Sequence, residues 1–238
     1  MESDRTSGLR LATVHAVVWL VGGNLIGLWL AVLLLKPEWN LGEVSYGRIA
    51  PVHLNIQLYG WTALPLVAWL FSIYEVHSSK SRYWSIVVVW AWSGALAIGA
   101  VAWLSGTISG KIFLDWKSGA LWCFVFVLAL LWGVLAVAWR ERSGSWERVK
   151  RVVTGISLAG LVAVPLMMVI AASPKTYPPI DQSTGGPTGS SLLGSTLVVV
   201  GLMLLLPRMA GVRKLVGETV GNGFSMWRVG WWPVSRKL

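Results

Sequence analysis

Three histidines (His15, His53 and His77) and one cysteine (Cys123) are the side chains of this 238-residue chain able to bind a transition metal through imidazole nitrogen or thiolate sulfur. One cysteine builds neither a disulfide nor a thiolate metal site, and no C-x-x-C-H haem-attachment run exists. His15 falls one turn inside the first long apolar run and His53 one turn inside the second, at its opposite end. At ~1.5 Å of rise per residue their depths differ by roughly 20 Å. Two axial ligands of one iron hold their nitrogens only about 4 Å apart, given metal–nitrogen bonds near 2 Å, so His15 and His53 cannot share a metal. His77 lies just past the end of the second run, on the side of His15. Those two either meet or stand as separate interfacial histidines. Around His53 the chain reads Ser45-Tyr-Gly-Arg-Ile-Ala-Pro-Val-His-Leu-Asn-Ile-Gln-Leu-Tyr-Gly-Trp. A charged Arg48 precedes a helix start expected at Pro51, where a missing N–H costs nothing. On that helix His53, Gln57, Gly60 and Trp61 share one face. A flat cofactor could lie against this face, with Gly60 leaving room, His53 as a haem-iron ligand and Arg48 meeting an anionic group. A packed, hydrogen-bonded histidine is the other reading of the same spacing.

The elements that must carry these residues are membrane helices. The chain is 55% hydrophobic and 13% charged and contains 17 tryptophans, against roughly 25% charge in soluble domains. Apolar stretches near 20 residues, the bilayer-spanning length, occur at 11–35, 50–74, 84–105, 116–139, 152–172 and 187–206. The expectation is an all-α membrane protein, with a six-helix domain over 1–206 and a basic, Trp-rich cytoplasmic or interfacial tail over 207–238. The first run is read as a retained helix rather than a signal peptide. With the N-terminus inside, 15 of the 20 Lys and Arg fall on the cytoplasmic side, leaving Lys36, Arg48, Lys111, Lys117 and Lys175 outside. This asymmetry predicts an N-in, C-in topology and accounts for the net charge of +10 without nucleic acid.

Trp39, Trp84, Trp116 and Trp139 suit the headgroup boundary, whereas Trp61, Trp90, Trp92 and Trp132 fall mid-span and should pack against neighbours. Pro65 and Pro165 should bend the second and fifth spans. Gly23-x-x-x-Gly27 permits close helix approach. The loop Tyr177-Pro-Pro-Ile-Asp181 reads as a structural cap. The spans carry too little polar or charged character for a channel or transporter, and no zinc, phosphate-loop or nucleophile motif is present.

At Gly47-Arg48-Ile49, Pro51-Val52-His53 and Asn55, with the approach Lys36-Pro-Glu-Trp-Asn, the chain resembles the catalytic subunit of haem–copper oxidases, most closely the N-terminal half of the C-type, cbb-class branch. In that family the motif's histidine binds low-spin haem. Gly110-Lys111 with Trp116 is similar to the family's loop between helices three and four, and the run ending at Pro207 to its sixth helix. The likeness covers about residues 10–210, half of a family subunit. Where the family's sixth helix opens with a copper-binding histidine, this chain has Pro187, and the other metal-binding histidines belong to helices it lacks.

The resemblance therefore implies a multi-pass subunit of a respiratory electron-transfer complex in a bacterial-type cytoplasmic (inner) membrane. Such a chain would bind low-spin haem b through His53, with Arg48 as propionate partner, and would have no copper centre and no complete oxidase activity of its own. A partner chain resembling the missing C-terminal half would supply the second axial ligand, and a cytochrome c is a candidate partner. The competing reading is a haem-free scaffold or assembly subunit of a respiratory complex.

Overall fold

The computed structural model describes residues 7–40, 42, 44–76, 78–111 and 113–175. Among these residues the chain is helical: α1 (Ser7–Leu35), α2 (Tyr46–Asn55), a π-helical segment (Ile56–Thr62), α3 (Ala63–Ile73), α4 (Ser79–Leu104), α5 (Ser118–Arg142), α6 (Arg148–Leu161) and α7 (Ala163–Ala172), with short 3₁₀ turns at Pro37–Trp39 and Ser143–Ser145. Five helical stretches are long and apolar enough to cross a bilayer: Gly8–Leu35, Tyr46–Ile73, Lys80–Leu104, Ser118–Ser145 and Arg148–Ala172. Helix is what such sequences must form in lipid, because only there does every backbone N–H and C=O find a partner within the segment. The expected spans at 11–35, 50–74, 84–105, 116–139 and 152–172 are thus present, their ends displaced by a few residues. The sixth at 187–206, the tail from 207, the Tyr177–Asp181 loop, Pro187 and His77 lie outside the described residues.

The second span begins earlier than its proline suggests. Ser45 is the N-cap, and Arg48 and Ile49 donate their N–H groups to its carbonyl at 2.9 and 3.0 Å. Arg48 is therefore on the helix, and Pro51 lies inside it rather than at its start. Both mid-span prolines disturb their helices one turn upstream, where the missing N–H would have bonded. Ahead of Pro65 the chain widens into the π segment, with the Ala63 N–H reaching the carbonyl of Leu58. Ahead of Pro165 the fifth span breaks at Val162, whose N–H turns to Ala159 at 3.3 Å.

Packing of α1 on the second span, of α4 against both, and of α5 on α4 builds one core, and α6 and α7 pack on α5. Aromatic rings fill its centre. Trp116 stacks on Phe124 at 4.4 Å between centroids, and Trp103 meets Trp116 edge-on at 5.0 Å. Gly99 makes this possible, since a Cβ there would lie 2.9 Å from both indoles. Trp116 is thus a core residue, 1% exposed, and not the interfacial one its span-end position suggested. Trp92 and Trp132 are anchored in the bundle, donating to the carbonyls of Tyr59 (2.8 Å) and Leu158 (2.9 Å). Trp90 instead faces outward with its ring edge-on to His15 at 4.6 Å.

Candidate functional site

His53 lies in the seam between α2 and α1. Its Nδ1 is 2.8 Å from the carbonyl oxygen of Gly23. A carbonyl only accepts, so Nδ1 carries the hydrogen and Nε2 carries the lone pair. No hydrogen bond to Nε2 occurs among the described residues. The ring sits over Gly27, where an added Cβ would meet His53 Cε1 at 2.6 Å. One turn on, Gln57 Nε2 donates to Asn24 Oδ1 at 2.7 Å and rests above Gly23. A further turn on, Gly60 faces Trp19 and Leu96: a Cβ at Gly60 would lie 2.6 Å from Trp19 Cβ and 3.1 Å from Leu96 Cδ2. Of the four residues expected on one face, His53, Gln57 and Gly60 meet α1, and no hydrogen bond or ring contact of Trp61 with α1 accompanies them among the described residues. Gly23-x-x-x-Gly27 lets α1 come close enough to accept the two side chains, a role that the spacing of glycines alone did not reveal.

Arg48 looks elsewhere. Its guanidinium lies beside Gly106, where a Cβ would approach Nε at 3.6 Å, in the loop that follows α4. His53 and Arg48 are five residues apart on one helix, hence about 140° apart around it, and the structure does not bring them to a common face. An apolar groove of about 330 Å³ lies between the same helices, lined by Leu25, Ile26 and Trp29 of α1, Ile49 and Val52 of α2, and Leu104, and neither His53 nor Arg48 is among its lining residues. His15 is engaged separately, its Nδ1 2.7 Å from Ser93 Oγ, which also accepts from Trp19 Nε1 at 3.0 Å.

The polar chemistry that sequence reading missed lies in the loop between α4 and α5, which folds back into the mouth of the bundle. Lys111 and Asp115 are buried there, at 1% and 3% exposure. Lys111 Nζ donates to the carbonyls of Ala171 and Ala172 at 2.8 and 2.7 Å, capping the C-terminus of α7. Asp115 accepts from Asn55 Nδ2 at 3.2 Å and from the Lys111 N–H at 3.3 Å. The loop is pinned further by Tyr59 Oη donating to the Phe113 carbonyl (2.8 Å) and Trp103 Nε1 to the Asp115 carbonyl (2.9 Å). Burial raises the carboxyl of Asp115 above its usual range despite the bonds it accepts, and burial lowers the ammonium of Lys111. Lys111, placed above in an outer loop, is a buried structural cation within the loop between α4 and α5. The clue available in the sequence was the pair Lys111…Asp115 in an otherwise apolar loop.

Haem ligation by histidine requires a ring nitrogen with its lone pair available, and the hydrogen bond from His53 Nδ1 to a backbone carbonyl is the arrangement that fixes such a ligand. At this atom the residues present fit the group. Along the rest of the face the fit is partial, because the room at Gly60 is taken by Trp19. Among the described residues no three His, Cys, Asp or Glu side chains gather to form a metal site.

Comparison with known proteins finds two curated relatives. The chain is similar to cytochrome c oxidase subunit 1 of Rhodobacter capsulatus, 24% identical over 133 residues, covering 52% of this chain and 25% of that protein. It is also similar to a cytochrome c oxidase subunit 1 homolog of Azorhizobium caulinodans, 25% identical over 114 residues, 45% of this chain and 20% of that protein. The chain thus matches about a quarter or less of the length of these curated relatives. No family model and no solved structure matches. Low-identity similarity over half the chain, on a helical membrane-type fold, points to a relationship with subunit I of haem–copper oxidases.

Proposed function

We propose that this chain is a subunit of a respiratory electron-transfer complex in a bacterial-type inner membrane, N-in and C-in, resembling a truncated or split subunit I of the C-type branch. His53 Nε2 would hold a low-spin haem b, and a partner chain resembling the C-terminal half of that subunit would supply the second ligand. The observation that carries this reading is the 2.8 Å bond from His53 Nδ1 to Gly23, which leaves the ligating nitrogen with its lone pair. Bound haem would supply a one-electron relay within the membrane. Arg48 would hold a propionate by charge-assisted hydrogen bonds, and Gly60 joins the haem-binding face only with Trp19 displaced. Cytochrome c is the candidate electron donor.

The occupied space at Gly60 favours a second reading, a haem-free scaffold that keeps the fold for assembly of a respiratory complex. A reduced-minus-oxidised optical spectrum with haem quantified per chain, on the gently solubilised complex and its His53→Ala variant, separates the two. A b-type signal abolished by the substitution while assembly survives supports ligation. No haem in the wild type, or a full signal in the variant, supports the scaffold.

A further inference from the structure

The seam that holds His53 carries polar groups where a lipid-facing surface should have none. Asn24 lies about 4 Å along the axis from the midpoint of α1, and Gln57 about as far from the midpoint of the second span. Both therefore sit near the centre of a hydrocarbon layer some 30 Å thick. Asn24 is exposed and Gln57 half-exposed, and a single hydrogen bond joins them. Each amide offers two N–H donors and a carbonyl with two lone pairs. Among the described residues Asn24 Nδ2 and Gln57 Oε1 have no partner. The surrounding exposed face of α1 is otherwise apolar, with Val14, Val17, Val21 and Leu28, so Asn24 interrupts a surface that would otherwise suit acyl chains.

Hydrocarbon offers such amides nothing, and polar side chains at this depth face protein or a cavity. We infer that the Asn24–Gln57 seam is an intramembrane docking surface for a transmembrane helix of a different chain that presents a hydrogen-bonding side chain to the two amides. The fifth span packs on α5, away from α1, so the described bundle does not itself cover the seam. The inference deepens the partner-chain reading above, since His53 is in the same seam, but it requires no haem.

The test places a photoreactive benzophenone residue at Val21 or Leu28, beside Asn24, and at Phe126 of α5 as an exposed control, in the full chain in its native membranes. The expected result is an adduct from the two α1 positions, absent from the control, that joins this chain to a polar-bearing transmembrane peptide of another protein. Its yield should fall about 3- to 30-fold in the Asn24→Leu, Gln57→Leu variant, the range for losing one intramembrane hydrogen bond, and recover in Asn24→Gln. Adducts to a second copy of this chain, to its own residues 187–206, or to lipid alone would each overturn the inference. Haem measured on the same membranes keeps the two readings apart. Adducts without haem defeat ligation by His53 but not the docking surface, and haem without adducts does the reverse.

Discussion

The loop that carries Lys111 and the seam that carries His53 treat polar groups in opposite ways. In the loop, two charged side chains are buried almost completely, and their polar atoms are directed at helix-end carbonyls, backbone N–H groups and each other's surroundings. In the seam, uncharged groups sit at partial exposure with bonding capacity left over. Burying a charge is tolerable only when its partners are supplied by the same fold, which marks the loop as architecture. Leftover capacity at membrane depth is tolerable only when something outside the described bundle completes it, which is the reason for placing the proposed docking surface at the seam. The two regions touch through α2, where Asn55 turns to the loop and His53 to α1.

If that contrast holds, the largest effect of any single change belongs to the loop. Lys111→Met removes both bonds to the end of α7 and the favourable charge near Asp115, and leaving a buried carboxylate uncompensated in this way costs about 3–5 kcal/mol. Thermal unfolding in mild detergent should show it, and the double variant with Asp115→Asn should recover part of the loss. An unchanged melting temperature would mean that the loop is not structural. Gly27→Val is next. A Cβ there would overlap the His53 ring at 2.6 Å, so the seam must open, at about 1–3 kcal/mol, and any haem signal should fall with it. Gly94→Val, where a Cβ meets nothing within 4 Å, is the control for a valine in a membrane helix.

How much of this was legible without coordinates follows from the range of the forces involved. Spans, the shared face of His53, Gln57 and Gly60, and the disturbances at Pro65 and Pro165 depend on local periodicity and backbone chemistry, and the sequence carries them. What lies opposite that face is a long-range matter. Nothing near Gly60 announces Trp19, 41 positions earlier, and nothing in Gly23-x-x-x-Gly27 names His53 as its occupant. The burial of Lys111 was not legible because a lone lysine between spans has the same appearance whether it snorkels outward or turns inward to a helix end that lies 60 residues on. Trp116 was misread for the same reason, since a span-end tryptophan and a core tryptophan differ only in what surrounds them.

At the opposite end of the bundle a smaller effect is expected, and it depends on pH. Lys150 donates to Glu75, sits 4.1 Å from the Trp146 ring centre, and ties the turn after α3 to the start of α6. Burial pushes the carboxyl of Glu75 up, but the bond from Lys150 and the charges of Lys150 and Arg142 outweigh it, so its pKa falls below the ordinary 4.5. A depressed folded pKa means stability that is present above the unfolded value and lost as pH drops through the folded one. The tie should therefore hold at neutral pH and weaken below about pH 4.5, by about 0.5–1 kcal/mol for a pair that is partly exposed. Asp115 runs the other way, because its raised pKa lets protonation on acidification relieve the penalty of its burial. Glu75→Gln should flatten the acid limb of a stability–pH curve, and Asp115→Asn should steepen it. The same change in both variants would contradict the opposite signs.

The smallest effect on the isolated chain sharpens the comparison most. Asn24→Leu removes one hydrogen bond, to Gln57, and such bonds inside membranes average about 0.6 kcal/mol. It also removes a poorly satisfied amide from the exposed face of α1. These two terms oppose each other, so the melting temperature of the purified chain should hardly move, whereas that of the assembled complex should fall. A loss in the isolated chain comparable to that of Lys111→Met would show that the Asn24–Gln57 pair is as much a part of the architecture as the loop. The distinction between the two regions would then collapse, and with it the reason for looking to α1 for a partner.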